Sequence, residues 1–193
     1  NSDASHQKQV LAAGGIVSLV AMLKGGSAAA QAHAAQALAN AAAYGAAGQN
    51  AIATAGAVPI LLSLLGTGKA QMPAAAALGK LAHANATIQI MIMNAGGITP
   101  LLALLNGLDV SAQVQASAAL AEMCCDNMEV QAAVAKAGGI GPLLALLASR
   151  SGAAQASSMA AIAQLAHANR DNQDAIARMG GLKPLVALLG HEE

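Results

Sequence analysis

The sequence predicts an all-α fold built as a tandem array, and three observations carry that expectation. The apolar residues, 56% of the 193, are Ala, Leu, Ile, Val and Met, with one Tyr, no Phe and no Trp. Ala is the strongest helix former and Leu and Met are good ones, whereas the aromatic and β-branched residues that favour strands are scarce. Secondly, one phrase recurs: "TIQIMIMNAGGITPLLALLNG" at 87–107, "EVQAAVAKAGGIGPLLALLAS" at 129–149 and "ANRDNQDAIARMGGLKPLVALLG" at 168–190. Thirdly, whole columns of residues keep one register. The Gly opening each "GG" or "GA" pair is Gly14, Gly56, Gly96, Gly138 and Gly180, at steps of 42, 40, 42 and 42 residues. Self-similarity at such a period marks a repeat array.

Around that Gly the other columns align. Seven residues before it stand Gln7, Gln49, Gln89, Gln131 and Gln173, and four before it Val10, Ile52, Ile92, Val134 and Ile176. Five after it come Leu19, Leu61, Leu101, Leu143 and Leu185, and nine after it Leu23, Leu65, Leu105, Leu147 and Leu189. Later in the unit Leu38, Leu78, Leu120 and Ile162 recur. The units span about 1–45, 46–85, 86–127 and 128–169, followed by a partial fifth at 170–193 within one array over 1–193.

Each unit reads as three helices. The first is short, as in "NQDAIARM" at 172–179, and ends at the column Gly, which can take the left-handed conformation that stops a helix. The second carries Pro59, Pro100, Pro142 or Pro184 in its first turn, where a missing N–H is tolerated. It is expected to close on Gly25, Gly66, Gly107 or Gly152. The third is long and Ala-rich, as in "VSAQVQASAALAEMCC" at 110–125, with apolar residues at i, i+3, i+4 and i+7 giving a face to bury. No unit can bury its faces alone, whereas stacked units can. The fifth unit carries only the first two helices, so its Leu face is expected to meet either more of the same protein or another chain.

Composition narrows function. Nine basic and nine acidic residues balance, no basic stripe appears and aromatics are lacking, so phosphate neutralisation and base stacking have no support and nucleic acid is not an expected partner. The charge-free run from Leu81 to Leu108 contains His83, Asn85, Asn94, Gly96, Gly97 and Pro100. That is unlike a spanning helix of about 20 apolar residues, and no membrane insertion is expected. No charged and apolar leader pattern opens the chain. The adjacent Cys124 and Cys125 point about 100° apart on a helix and read as buried free thiols. Together these suggest an intracellular, cytoplasmic setting.

The three-helix plan, the period of about 42 residues, "AGGIxPLLALL" and "AAQALANAA" (34–42) resemble the armadillo repeat family over about residues 5–190. HEAT repeats usually lack the short first helix and its Gly-Gly junction. The resemblance implies a right-handed superhelical α-solenoid, with third helices lining a concave groove that takes extended peptides. In the family an Asn late on the third helix grips the peptide backbone, and a Trp four residues earlier packs on its side chains. Here the Asn column reads Asn40, Lys80, Glu122 and Gln164, and the Trp column Gln36, Ala76, Ala118 and Ala160. Without Trp slots to stack Lys and Arg stems, the family's recognition of basic peptides is not expected. A groove floored with Ala instead suits a helix or another apolar surface.

Catalytic and metal readings find little. His83 and His167 share a column with Cys125, but neighbouring units lie about 10 Å apart, whereas zinc ligands converge to about 2.0–2.3 Å of one ion. Glu122 and Asp126, spaced i and i+4, are expected on one solvated helix face. Asp171 and Asp174 are expected in a first helical turn, complementing its dipole. The Gly pairs follow no strand and precede no GK[ST], so they are not phosphate loops. The expectation is a non-enzymatic scaffold without metal or cofactor, binding a protein or peptide through Gln36, Asn40, Ala76, Lys80, Ala118, Glu122, Ala160 and Gln164. Alternatives are a structural segment of a larger assembly, with subunit or end-to-end contacts through the fifth unit, and a designed or consensus-like repeat protein without a natural ligand.

Overall fold

A computed structural model describes residues 14–66 and 68–189, so the expected first helix around Gln7 and Val10 lies outside the described residues. The rest is helical. Unit one contributes α1 (Gly15–Gly25) and α2 (Ala28–Ala42), and unit two α3 (Ala46–Thr54), α4 (Ala57–Leu64), a 3-10 turn (Gly68–Ala70) and α5 (Gln71–Ala82). Unit three supplies α6 (Ala86–Asn94), α7 (Ile98–Leu105) and α8 (Val110–Cys124), and unit four α9 (Met128–Lys136), α10 (Ile140–Leu146) and α11 (Gly152–Ala166). Unit five adds α12 (Arg170–Arg178) and α13 (Leu182–Leu189). No strand occurs among the described residues.

Like packs on like. The third helices form one continuous stack, α2 on α5 on α8 on α11, and the first helices another, α3 on α6 on α9 on α12. The core runs along this stack rather than around a centre. Leu38, Leu78, Leu120 and Ile162 are all buried, as are Ile52, Ile92, Val134 and Ile176. The columns that align in sequence are therefore the columns that touch.

The first-to-second junction explains the glycine pair. Gly14, Gly56, Gly96, Gly138 and Gly180 all have φ between 77° and 83°, where any Cβ is strained. At Gly97 the amide reaches back to the Ile92 carbonyl at 2.9 Å, and Gly139 and Gly181 repeat the bond to Val134 and Ile176. This six-to-one closure satisfies carbonyls that a helix end leaves open. The first and second helices meet at 83° in units two and three. Pro59, Pro100, Pro142 and Pro184 each stand third in their helix, where no intrahelical N–H bond is lost.

The third-to-first junction has a different solution. Ala84, Asp126 and Ala168 take positive φ of 50° to 51° although none is glycine. Each is followed by Asn85, Asn127 or Asn169, whose side chain accepts from the backbone N–H three residues on, at Ile88, Val130 and Asn172. These caps fix the entry into each short helix. A left-handed non-glycine residue costs about 1–2 kcal/mol, and Ala168 is exposed. Ala168→Gly should therefore stabilise the protein by about 0.5–1 kcal/mol, the relieved strain exceeding the entropy that Gly adds to the unfolded chain. Urea melts of the two proteins check the sign, and a destabilised variant would show that the backbone is not strained there.

Several expectations are corrected. Gly152 does not end a second helix. It opens α11 behind Ser151, whose hydroxyl caps Ala154, because α10 already stops at Leu146. Asp171 does lie in the first turn of α12, but Asp174 stands a turn further in. Cys124 is buried, whereas Cys125 closes α8 and is only half-buried. Burial, with Cys125 beside it second, pushes the Cys124 thiol up to about 12. Cys125 is raised too, first by its own desolvation and then by Asp126 and Glu122. Neither is poised as a nucleophile at neutral pH. No single helix among the described residues is long and apolar enough to cross a membrane.

Candidate interaction face

The expected groove residues all lie on third helices, at the same register of successive units. Gln36 and Asn40 are on α2, Ala76 and Lys80 on α5, Ala118 and Glu122 on α8, Ala160 and Gln164 on α11. Gln36, Asn40, Ala76 and Lys80 come together with Met72 and Gln115 around one shallow pocket of about 220 Å³ between α2 and α5. Its floor is Ala and its rim is amide and ammonium. Gln36 donates its amide to Asn40 Oδ1 at 3.2 Å, which leaves the Asn40 amide facing outward to donate.

Further along the stack the acidic position is engaged. Glu122 Oε2 lies 2.8 Å from His83 Nδ1, across the α5–α8 boundary. His167 Nε2 stands 3.6 Å from Asp126 Oδ1 in the next boundary. Both pairs are solvent-exposed and contribute well under about 1 kcal/mol. The expectation that Glu122 and Asp126 share a helix face fails, because α8 stops at Cys124 and Asp126 turns into the left-handed region. The His83, Cys125, His167 column instead closes the third helices one after another. Ala160 departs from the groove set, lining a separate apolar slot on the downstream side of α11.

What holds these helices at constant spacing is the Gln column, whose role the sequence reading left unassigned. Gln89 is buried and its amide donates to Ala82 O at 3.2 Å, Glu122 O at 2.8 Å and Cys125 O at 3.2 Å. Its carbonyl accepts from Asn127 Nδ2 at 2.9 Å. One side chain thus ties the ends of two successive third helices to the next cap. Gln49 ties the end of α5 to the next cap, donating to Lys80 O and His83 O and accepting from Asn85. Gln131 repeats the Gln89 arrangement with Cys124 O and His167 O and accepts from Asn169. The signal was available: an amide kept in every unit, four residues after an Asn in the last three, amid apolar neighbours. A buried amide is retained at such a place only when it is hydrogen-bonded.

No family model matches the chain, and no curated protein does. Solved structures do. An engineered protein superposes with a TM-score of 0.94 at 32% identity, covering 98% of this chain and 79% of that one. A designed armadillo repeat protein in complex with the peptide (KR)4 gives 0.91 at 26% identity, covering 98% and 80%. A computationally designed armadillo repeat protein for modular peptide recognition gives 0.89 at 28%, also covering 98% and 80%. The stacked three-helix units and these likenesses define an α-solenoid repeat scaffold. With its glycine junctions and three-helix register, the chain is armadillo-repeat-like.

Proposed function

We propose that this protein is a non-catalytic interaction scaffold that holds a peptide or helix of a partner protein along the exposed flank of its third helices. The observation that carries the reading is the pocket between α2 and α5, where Gln36, Asn40 and Lys80 ring an Ala floor. Amide side chains such as Gln36 and Asn40, four residues apart on one helix, can pair with a backbone whose own groups need partners. Two of the designed neighbours are described by peptide recognition, one of them in complex with the basic (KR)4. This flank differs in chemistry. It has no aromatic slots, its Glu122 is occupied by His83, and Lys80 is exposed. The ligand that fits is therefore small-residue or apolar where it meets the Ala floor, with a carboxylate opposite Lys80. The free thiols Cys124 and Cys125 favour a reducing, intracellular setting for this role.

Selection from a random displayed peptide library provides the test. Enriched peptides should carry an Asp or Glu. Their affinity should fall about tenfold, or about 1.4 kcal/mol, in Asn40→Ala and in the double variant Lys80→Ala/Glu122→Ala. Enriched peptides that bind both variants as tightly as the parent would place the site elsewhere and end the groove reading.

A further inference from the structure

The third helix of unit two differs from its neighbours in what it shows to solvent. The 3-10 turn Gly68–Ala70 runs into α5 without a break, so residues 68–82 match in length the 15 residues of α2 and of α8. Along them Lys69, Met72 and Lys80 are exposed and Ala76 is half-buried, while the residues between are mostly buried. The spacings of three, four and four put these side chains in one stripe. The two lysines stand at its ends, eleven residues and so about 16 Å apart along the axis. No other third helix carries the pair: the same two columns read Ala29 and Asn40, Ser111 and Glu122, Ala153 and Gln164.

A second observation is independent of that stripe. Between residues 4 and 108 the sequence holds Lys8, Lys24, Lys69 and Lys80 and no Asp or Glu, so no carboxylate of that stretch competes for the lysines. On the next third helix the carboxylate in the groove column, Glu122, is held by His83 at 2.8 Å. Between the two lysines the stripe offers Met72 and Ala76, which can pair with no backbone group, and Gln36 and Asn40 beside them are bonded to each other. An extended strand laid there leaves its own groups unpaired, whereas a helix satisfies them internally. A strand crossing the third helices, which lie about 10 Å apart, meets Lys69 or Lys80 but not both.

Given the groove reading, on which this rests, we propose that the partner segment is an amphipathic helix lying along α5. Two carboxylates three turns apart on it meet Lys69 and Lys80, and the apolar residues between them pack on Met72 and Ala76. The ligand is thereby narrowed from a peptide or helix to a helix, and from one carboxylate to two at a fixed spacing. Ala76 lets the incoming backbone approach closely, and the thioether of Met72 adapts to the apolar side chain over it. The charged ends set the register, since a slip of one turn, about 5.4 Å, parts both pairs at once. Exposed ion pairs contribute little each, so the apolar middle supplies the affinity and the ends supply the selectivity.

The probe is a sixteen-residue peptide of Ala and Gln with Glu at its third and fourteenth positions and Leu at its seventh and tenth, a spacing that reads alike in both directions. Added to the whole protein, it should bind saturably at one per chain, gain helicity in far-UV circular dichroism and weaken as salt is raised. Lys69→Glu and Lys80→Glu, at exposed positions that leave folding intact, should each reduce its affinity at least about fivefold. The same peptide with Pro at its eighth position, which breaks a helix and leaves a strand possible, should lose at least about tenfold. Absence of saturation at millimolar peptide, a Pro peptide that binds as well as its parent, or binding indifferent to Lys69→Glu would overturn the inference. Failure of the groove itself is distinguishable, because library-selected peptides would then ignore Asn40→Ala and Lys80→Ala/Glu122→Ala. Selected peptides that respond to those changes and ignore Lys69→Glu would keep the groove and remove the helix from it.

Discussion

Gln89→Leu should destabilise the protein by about 2–4 kcal/mol, while Gln173→Leu, the same change in the same column, should cost less than about 0.5 kcal/mol. Leu matches Gln in size, so packing is retained and the hydrogen bonds are what is lost. At Gln89 those are the bonds to Ala82, Glu122 and Cys125 carbonyls and the one accepted from Asn127. Their former partners stay buried between helices, and each unsatisfied group carries a penalty of about 1–3 kcal/mol. At Gln173 the side chain is exposed and water replaces the single bond to Ala166. Because stability in an array is a sum of unit and interface terms, the inner change should also loosen the coupling of unit two to unit three. The urea m-value should fall as the transition loses cooperativity. Equal losses at the two positions would show that the column acts locally, and not as the tie between successive third helices.

The sequence carries the period and the helix types because both are one-dimensional properties. A residue needing positive φ announces itself as Gly14, Gly56, Gly96, Gly138 and Gly180, and a helix that buries one stripe announces itself by spacing. The second glycine of the pair is only half as legible. A Cβ on Gly97 would sit 2.6 Å from Ile92 Cγ2, yet unit two has Ala57 in that column, so no strict rule was there to read. Ala84 and Ala168 give no sign at all, since nothing in their chemistry favours a left-handed turn, and Asp126, which tolerates one, stands alone in its column. Their conformation is imposed by the packing on either side. That same turn is why the i, i+4 reasoning for Glu122 and Asp126 failed: helical geometry was extended two residues past the end of α8.

The face that would carry function was legible as a register and not as contacts. Asn40, Lys80, Glu122 and Gln164 fall where the repeat places them, but the His83–Glu122 pairing spans two units and depends on how closely α5 and α8 approach. The Gln column lay in plain view, and its partners, 31 to 38 residues away in chain, could be named only once the stacking was known. Residues that act between repeats are visible in sequence as recurrence, and their partners are not.

How closely two third helices approach is set by one residue type, which makes Gly79→Val the second large expected effect. A Cβ built on Gly79 lies 3.1 Å from Ala119 Cα and 3.4 Å from Ala119 Cβ, so α5 meets the backbone of α8. Val must push the helices apart, at about 2–3 kcal/mol, against which its better helix propensity returns only about 0.3 kcal/mol. Gly79→Ala should be near neutral, since a gain of about 1 kcal/mol in propensity offsets a contact that gives by a few tenths of an ångström. The same column reads Ala39, Ala121 and, at the exposed end, Ala163. Among the described residues Ala163 meets no following helix, so Ala163→Val should cost only about 0.6 kcal/mol in propensity. Thermal melts of the three variants therefore rank as Gly79→Val far below the parent, with the other two close to it. Function should follow the same order, because Lys80 is the next residue and Glu122 lies on the helix being displaced. Peptides selected on the parent should lose affinity for Gly79→Val and keep it for Ala163→Val. A Gly79→Val protein as stable as the parent would mean that α5 and α8 can separate freely, and that the spacing of the groove is not fixed by this contact.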